Sequence, residues 1–320
     1  MLSAGAAIGI VGGMGRRSRK SKNEKEILDG GIVVWKPRGP SSRAVVNRVQ
    51  RQVGFRGLGH CGTLDPLASG IMVLTGGLGS KFQQWLTVHD KSYIATVWWG
   101  LGSDSGDAEG PLWRPAEPVS IPSRDAIEAV LPQFLGVQMQ IPPRHSAIRV
   151  DGRRSYEEAR AGVDLDMKPR EVRIDALELL EVDGSRCRLR IDCGPGTYIR
   201  SLAHDLGAAL EVPATLIGLQ RTACGIHTLA DSTRIDQVGR SEWWPLERLV
   251  EHLPKQELTD PECRALAQGQ QITGQISEEC VAWSGGVVQG ILEPAEDGTI
   301  KARRWLSRGI RNPESKAETD

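Results

Sequence analysis

The sequence contains no run approaching the 18 or so consecutive apolar residues that a membrane-spanning helix requires. Its six cysteines include no C-x-x-C, and its six histidines include no H-x-x-x-H. Cys61, Cys187, Cys193, Cys224, Cys263 and Cys280 stand far apart, which offers neither a zinc site nor a disulfide framework and fits reduced thiols in a cytoplasmic protein. The glycine-rich start, Leu2 to Gly13, is followed rather than preceded by basic residues, the wrong order for a secretory signal. "TGGLGSKF" lacks the Gly-Lys-Ser/Thr of a phosphate-binding loop, and Asp104, Asp107 and Glu109 lack the spacing of a calcium loop, so they read as a solvated turn. No internal repeat is present, and no excess charge of either sign announces a partner, because the formal net charge is zero.

What is present is unevenly placed. Residues 1–100 hold 14 Lys/Arg against 5 Asp/Glu, whereas residues 241–320 hold 9 against 14, so the front of the chain suits a polyanion. "GIVVWKP" reads as a strand stopped by Pro37. "SSRAVVNRVQRQV" reads as a helix capped by Ser41 or Ser42, with Val45, Val49 and Val53 on one face and Arg43, Arg48 and Arg51 off it. "IMVLTGG" reads as a buried strand, and "KSYIATVWWG" alternates Tyr93, Ala95, Val97 and Trp99 against Ile94, Thr96 and Trp98. From Val172 to Cys193 two alternating strands flank Asp183-Gly184, a hairpin signal. "GPGTYIRSLAHDLGAAL" then takes a helical period, with Thr197 as cap and Ile199, Leu202, Leu206 and Leu210 on one stripe. Strands and helices mix without regular β-α-β alternation, which predicts an α+β fold with a mainly antiparallel mixed sheet flanked by helices. Near residue 240 a Trp-Trp pair, a short helix from "DPECRALAQGQ" and short strands predict a small β-rich domain.

One residue asks for an explanation. In "GHCGTLDPLASG" the carboxylate of Asp65 stands among glycines and leucines, where an unpaired charge is costly and its pKa rises. It needs a partner from a distant buried segment, and Arg200, at the start of the Ile199 helix, is the best candidate. The open alternative is that Asp65 merely caps a turn before Pro66.

The same twelve residues resemble the catalytic motif of the TruB family of tRNA pseudouridine synthases. Five further segments follow that family's pattern in order: "VWKPRGPSS", "DKSYIATVWWGLGSDSGDAEG", "IPPRHSAIRVDGRRSYEEARAG", "GPGTYIRSLAHDLG" and "LIGLQRTACG". The resemblance covers residues 31–226 and implies a pseudouridine synthase fold. It further implies isomerisation of uridine to pseudouridine, at uridine 55 of the tRNA T arm, by a monomer acting on the T arm and elbow without cofactor or metal. By that resemblance Asp65 is the catalytic carboxylate, Arg200 pairs with it and keeps it ionised, and Tyr93 stacks on the flipped base and can move a proton. His60 fills the space the base leaves, Leu219 walls the pocket, Tyr198 contacts substrate, and Lys36 supports the loop or the phosphates. Arg38, Arg43, Arg144, Arg149, Arg153 and Arg154 would meet the RNA backbone.

The C-terminal residues "RALAQGQQITG", "CVAWSGGVVQGILEP" and "IKARRWL" resemble the PUA-like module such enzymes carry for the acceptor stem. The implied organisation is a disordered basic leader (1–30), a catalytic domain (31–240), a PUA-like domain (241–312) and a disordered tail (313–320). Departures from the family pattern include Cys61 where a threonine is usual. That thiol would make the enzyme sensitive to oxidation if its loop is open. Two other readings carry their own predictions: a guide-RNA-dependent synthase would be inactive on free tRNA, and a tRNA-folding chaperone would keep its effect without Asp65.

Overall fold

The computed structural model describes residues 28–143, 149–150, 153–154 and 167–306. The leader up to residue 27, Arg144, residues 155–166 and the tail after residue 306 lie outside the described residues. Ten strands form the main sheet: β1 (Gly30–Lys36), β2 (Gly59–His60), β3 (Ala68–Gly76), β4 (Lys91–Trp99), β5 (Gly136–Gln140), β6 (Arg170–Asp183), β7 (Arg186–Cys193), β8 (Ala214–Cys224), β9 (His227–Thr228) and β10 (Thr233–Arg234). Their order is β10-β1-β3-β8-β4-β7-β6-β5, with β2 on β3 and β9 on β8. Only β10 on β1 and β8 on β3 run parallel, so the sheet is mixed and mainly antiparallel, as the sequence predicts. The β6–β7 hairpin turns at Gly184, whose φ of 54° lies in the left-handed region glycine tolerates.

The helices are α1 (Ser42–Val53), α2 (Gln83–Thr87), α3 (Arg124–Val130) and α4 (Ile199–Ala209), followed by α5 (Leu246–Val250) and α6 (Asp260–Ala267). The α1 N-cap is Ser41, whose hydroxyl accepts from the Ala44 N–H at 3.2 Å; Gly54 closes its C-terminus in the left-handed conformation. Its apolar stripe, Val45, Val46, Val49 and Val53, is buried, each side chain worth about 2 kcal/mol by area. Ser42 does a different job: its Oγ accepts from the Leu64 N–H and donates to the Leu64 carbonyl, fastening the Asp65 loop to α1. The cap expected at Thr197 is not there. Tyr198 is the α4 N-cap residue, without a side-chain cap bond, and Thr197 Oγ1 instead donates to Gly194 O at 3.0 Å. The buried Gln140 amide takes the place of a local cap, accepting from the Tyr198 N–H and donating to its carbonyl.

Beyond residue 250 a second, five-stranded sheet forms from β11 (Lys255–Glu257), β12 (Ile272–Thr273), β13 (Cys280–Ser284), β14 (Val287–Pro294) and β15 (Thr299–Trp305), in the order β11-β13-β14-β15-β12. A capping box between Thr259 and Glu262 starts α6 beside it. The two sheets share apolar packing. Val33, Ile71 and Val73 from the main sheet join Leu246, Leu249 and Val250 of α5 and Val281, Trp283 and Val288 of the second sheet in one buried cluster. At its edge Trp85 Nε1 donates to Glu279 at 2.7 Å, and Glu279 pairs with Arg303. Among the described residues no helix is long and apolar enough to cross a membrane.

Candidate active site

A cavity of about 440 Å³ opens on the main sheet where the loop after β2, strands β4 and β8 and the start of α4 converge. His60, Asp65, Tyr93, Tyr198, Arg200 and Leu219, widely separated in sequence, all line it. Asp65 sits in the turn before β3, whose start is fixed by the Ala68 N–H donating to the Asp65 carbonyl at 3.0 Å. Arg200 enters from the first turn of α4, and its Nε lies 3.0 Å from Asp65 Oδ2. The arginine side chain is 6% exposed and the carboxylate 36%, so the cation is sealed in while the acid keeps an open edge toward the cavity.

Arg200 has further partners. Its Nη1 donates to the Ser105 carbonyl at 3.1 Å and stands 3.5 Å from Asp107 Oδ2. Asp107 is buried, not the solvated turn residue that its acidic neighbourhood suggested. Ser105 Oγ donates to Asp107 Oδ1 at 2.9 Å and the Glu109 N–H donates to the same atom at 3.1 Å, holding the carboxylate toward Arg200. Burial pushes the Asp65 carboxyl above the ordinary aspartate range; Arg200 and Lys36 pull it down, Asp107 pushes it up, and the balance is upward. Pairing with Arg200 therefore offsets the desolvation of Asp65 without overcoming it.

Lys36, at the end of β1, is fully buried. Its ammonium donates to the carbonyls of Pro37 and Pro66 at 3.2 and 3.4 Å and to that of Ala68, so it clamps the turn that carries Asp65 and faces no solvent from which a phosphate could approach. Burial lowers its pKa to about 8. Tyr93, on the buried face of β4, has its phenol pushed up to about 12 by burial and hydrogen-bonds Arg221. His60 is held below its usual pKa by burial and by Arg221 and Arg43, and its Nδ1 has no partner among the described residues.

Three residues escaped the sequence reading. Asp107 gave no signal, because nothing in "SDSGDAEG" distinguishes a buried carboxylate from a hydrated one. Arg221 did: it follows Leu219 by two residues on β8, and side chains two apart on a strand share a face. Its Nε donates to Ile71 O at 2.8 Å and its Nη2 to Gly62 O at 3.3 Å, almost entirely buried. Gly70 makes this approach possible, since a Cβ there would meet the Arg221 carbonyl oxygen at 2.2 Å. Lys91, the third, lines the cavity with its ammonium on the Thr87 and His89 carbonyls. Arg38 is exposed outside the cavity. Arg149 and Arg154 are register partners in a short antiparallel pair that also contains Arg153.

Cys61 is buried, and burial raises its thiol to about 12. The loop is therefore not open at that residue, and the oxidation sensitivity suggested from its position loses its physical basis. Among the described residues all six cysteines are free, and no group of three or more His, Cys, Asp or Glu is arranged to hold a metal.

Comparison with known proteins places the chain. Residues 50–199 match the model of the TruB family pseudouridylate synthase N-terminal domain. The tRNA pseudouridine synthase B of Azoarcus sp. is 40% identical over 297 residues, spanning 89% of this chain and 97% of that protein. Its namesake from Aromatoleum aromaticum is 36% identical, over 91% of this chain and 97% of that one. Among solved structures, a Cbf5-Nop10-Gar1 complex contains a chain that matches with a TM-score of 0.64 at 24% identity, over 83% of this chain and 78% of that one. An archaeal box H/ACA Nop10-Cbf5 complex gives 0.65 at 22%, over 87% and 86%, and these two likenesses speak to the fold. On the extent and identity of the relatives matched over nearly their whole length, the chain belongs to the TruB family of pseudouridylate synthases.

Proposed function

We propose that the protein isomerises uridine to pseudouridine in tRNA, at uridine 55 of the T arm, using its own side chains alone. The observation that carries this reading is a single carboxylate, Asp65, held by a sealed arginine at 3.0 Å and open to a cavity of about 440 Å³. The relatives' names supply the substrate class. The target base lies in a stacked loop and is flipped out at a cost of a few kcal/mol. His60, which lines the cavity, takes the space it leaves.

Inside the cavity Asp65 adds to the sugar C1′ or the base C6, or stabilises an elimination to a glycal, as the C1′–N1 bond breaks; the base turns and rejoins through C5, Asp65 is released, the C5 hydrogen leaves as a proton and N1 takes one up. Two features favour isomerisation over hydrolysis. A glycosidase sets two carboxylates across a water, and here the second, Asp107, is buried behind Arg200. Burial pushes the Tyr93 phenol up to about 12, so it holds its proton and serves as a stacking platform. Leu219 walls the cavity, while Tyr198 lies within reach of the ribose. Residues 241–312 hold the acceptor stem, and the protein works as a cytoplasmic monomer.

The test uses an unmodified tRNA transcript with wild type and Asp65→Asn, scoring each uridine by carbodiimide labelling and primer extension. A single stop at position 55 with wild type, absent with the variant, is expected. Tight binding without product from either protein would refute the reading and favour a guide-dependent or chaperone role.

A further inference from the structure

The stretch from Gly30 to Leu64 contains no aspartate or glutamate, yet it carries Lys36, Arg38, Arg43, Arg48, Arg51 and Arg56. Several exposed arginines elsewhere are matched by carboxylates: Arg124 by Glu128, Arg173 by Asp90 and Asp175, Arg190 by Asp192 and Glu178, Arg303 by Glu279. Arg43, Arg51 and Arg56 are exposed, and among the described residues none has a carboxylate within ion-pairing reach. An array of cations left unneutralised on a chain of zero net charge suits a partner that brings the negative charge.

These arginines share one depression, of about 740 Å³, beside α1. Arg43, Asn47 and Arg51 recur every four residues and form one wall; Arg56 stands on the other, in the segment leading to β2. That second wall is braced: Gln50 Oε1 accepts from the N–H groups of Gly57 and Leu58 at 2.8 and 3.1 Å, which fixes the Arg56 segment against the end of α1. The groove and the catalytic cavity meet at Gln83, which lines both and donates from Nε2 to the His60 carbonyl at 2.6 Å. Arg43 and Arg51 are eight residues apart, about 12 Å along the helix axis. That distance exceeds the spacing of adjacent phosphates and suits phosphates two nucleotides apart on one strand.

We propose that this groove binds the phosphate backbone of the RNA strand running away from the flipped nucleotide, with Arg43, Arg51 and Arg56 on separate phosphates and Asn47 supporting them. The proposal rests on the tRNA reading above and adds to it a defined track from the cavity mouth. Arg48, exposed on the same helix but outside the groove, supplies the matched control.

The experiment measures filter binding of an unmodified tRNA transcript across a salt series for wild type, Arg43→Gln/Arg51→Gln/Arg56→Gln and Arg48→Gln, with thermal melting to confirm that each protein is folded. The slope of log Kd against log salt should fall by about two to three in the triple variant, roughly one per lost phosphate contact, and by less than about one half in Arg48→Gln. Affinity at physiological salt should drop at least about ten-fold in the triple variant. A triple variant that binds like wild type, or an Arg48→Gln slope as shallow as that of the triple variant, would overturn the groove. Steep wild-type binding lost in the triple variant, with no pseudouridine formed by wild type, would support the groove and sink the catalytic reading instead. Wild type that fails to bind tRNA sinks both.

Discussion

Two buried arginines line the same cavity and are used in opposite ways. Arg200 is consumed by acids: Asp65 at 3.0 Å and Asp107 at 3.5 Å share its charge, and what remains is spent on the Ser105 carbonyl. Arg221 touches carbonyls and the Tyr93 phenol, with no carboxylate among the described residues in ion-pairing reach. The difference divides the cavity electrically. On the Arg200 side two acids share one cation, and the Asp65 carboxyl stays above the ordinary aspartate range. On the Arg221 side burial, helped by that cation, lowers the pKa of His60 and Lys91.

Breaking the first half should cost most. Arg200→Gln leaves Asp65 and Asp107 without their shared cation, and kcat should fall by about 10²–10³. The acid limb of kcat/KM should move further up in pH, because Arg200 opposes the upward shift of Asp65. Breaking the second half should be felt mainly in stability. Arg221→Met orphans the carbonyls of Ile71 and Gly62, a loss of about 1–3 kcal/mol by denaturant titration. It should also let the His60 pKa rise, visible in an NMR titration; loss of product with stability and His60 unmoved would mean that Arg221 acts on the substrate.

Asp107→Asn sharpens the comparison with the smallest effect. It gives Arg200 wholly to Asp65 and removes a neighbouring negative charge, so the carboxyl pKa should drop and the acid limb should move down. The sign follows from the direction of the wild-type shift. On the proposed role of Asp65, activity needs the carboxylate and is lost as pH falls through the folded-state value, which lies above the ordinary aspartate range. The same raised value means that ionised Asp65 weakens the fold as pH rises past the unfolded value. A pH–rate profile that is superimposable on wild type would show that Asp107 does not act through Asp65.

The legible part of this molecule was the part written in periods and pairs. The valine stripe of α1, the alternation of β4 and the Asp-Gly hairpin are local patterns, and each appears where its period puts it. Asp65 advertised itself by isolation, and the need for a distant cation led to Arg200. What was not legible depends on contacts across the fold. Asp107 looks hydrated in sequence because its burial is decided by α4, nearly a hundred residues away. The α4 cap went to Gln140 because a side chain from the far edge of the sheet competes with Thr197 for the helix start. Arg221 lay between these cases, since the two-residue period from Leu219 already pointed it into the cavity.

The apolar cluster that joins the two sheets has a consequence for how the chain can be divided. Val33, Ile71 and Val73 lie at the centre of one unit and Val281, Trp283 and Val288 at the face of the other, yet they bury one another. A cut near Ser241 would therefore produce two fragments, each wearing half a core on its surface and each prone to aggregate alone. Together they would complement, the short terminal piece acting as a folding ligand for the long one, so that the dose of one fragment would set the thermal midpoint of the other.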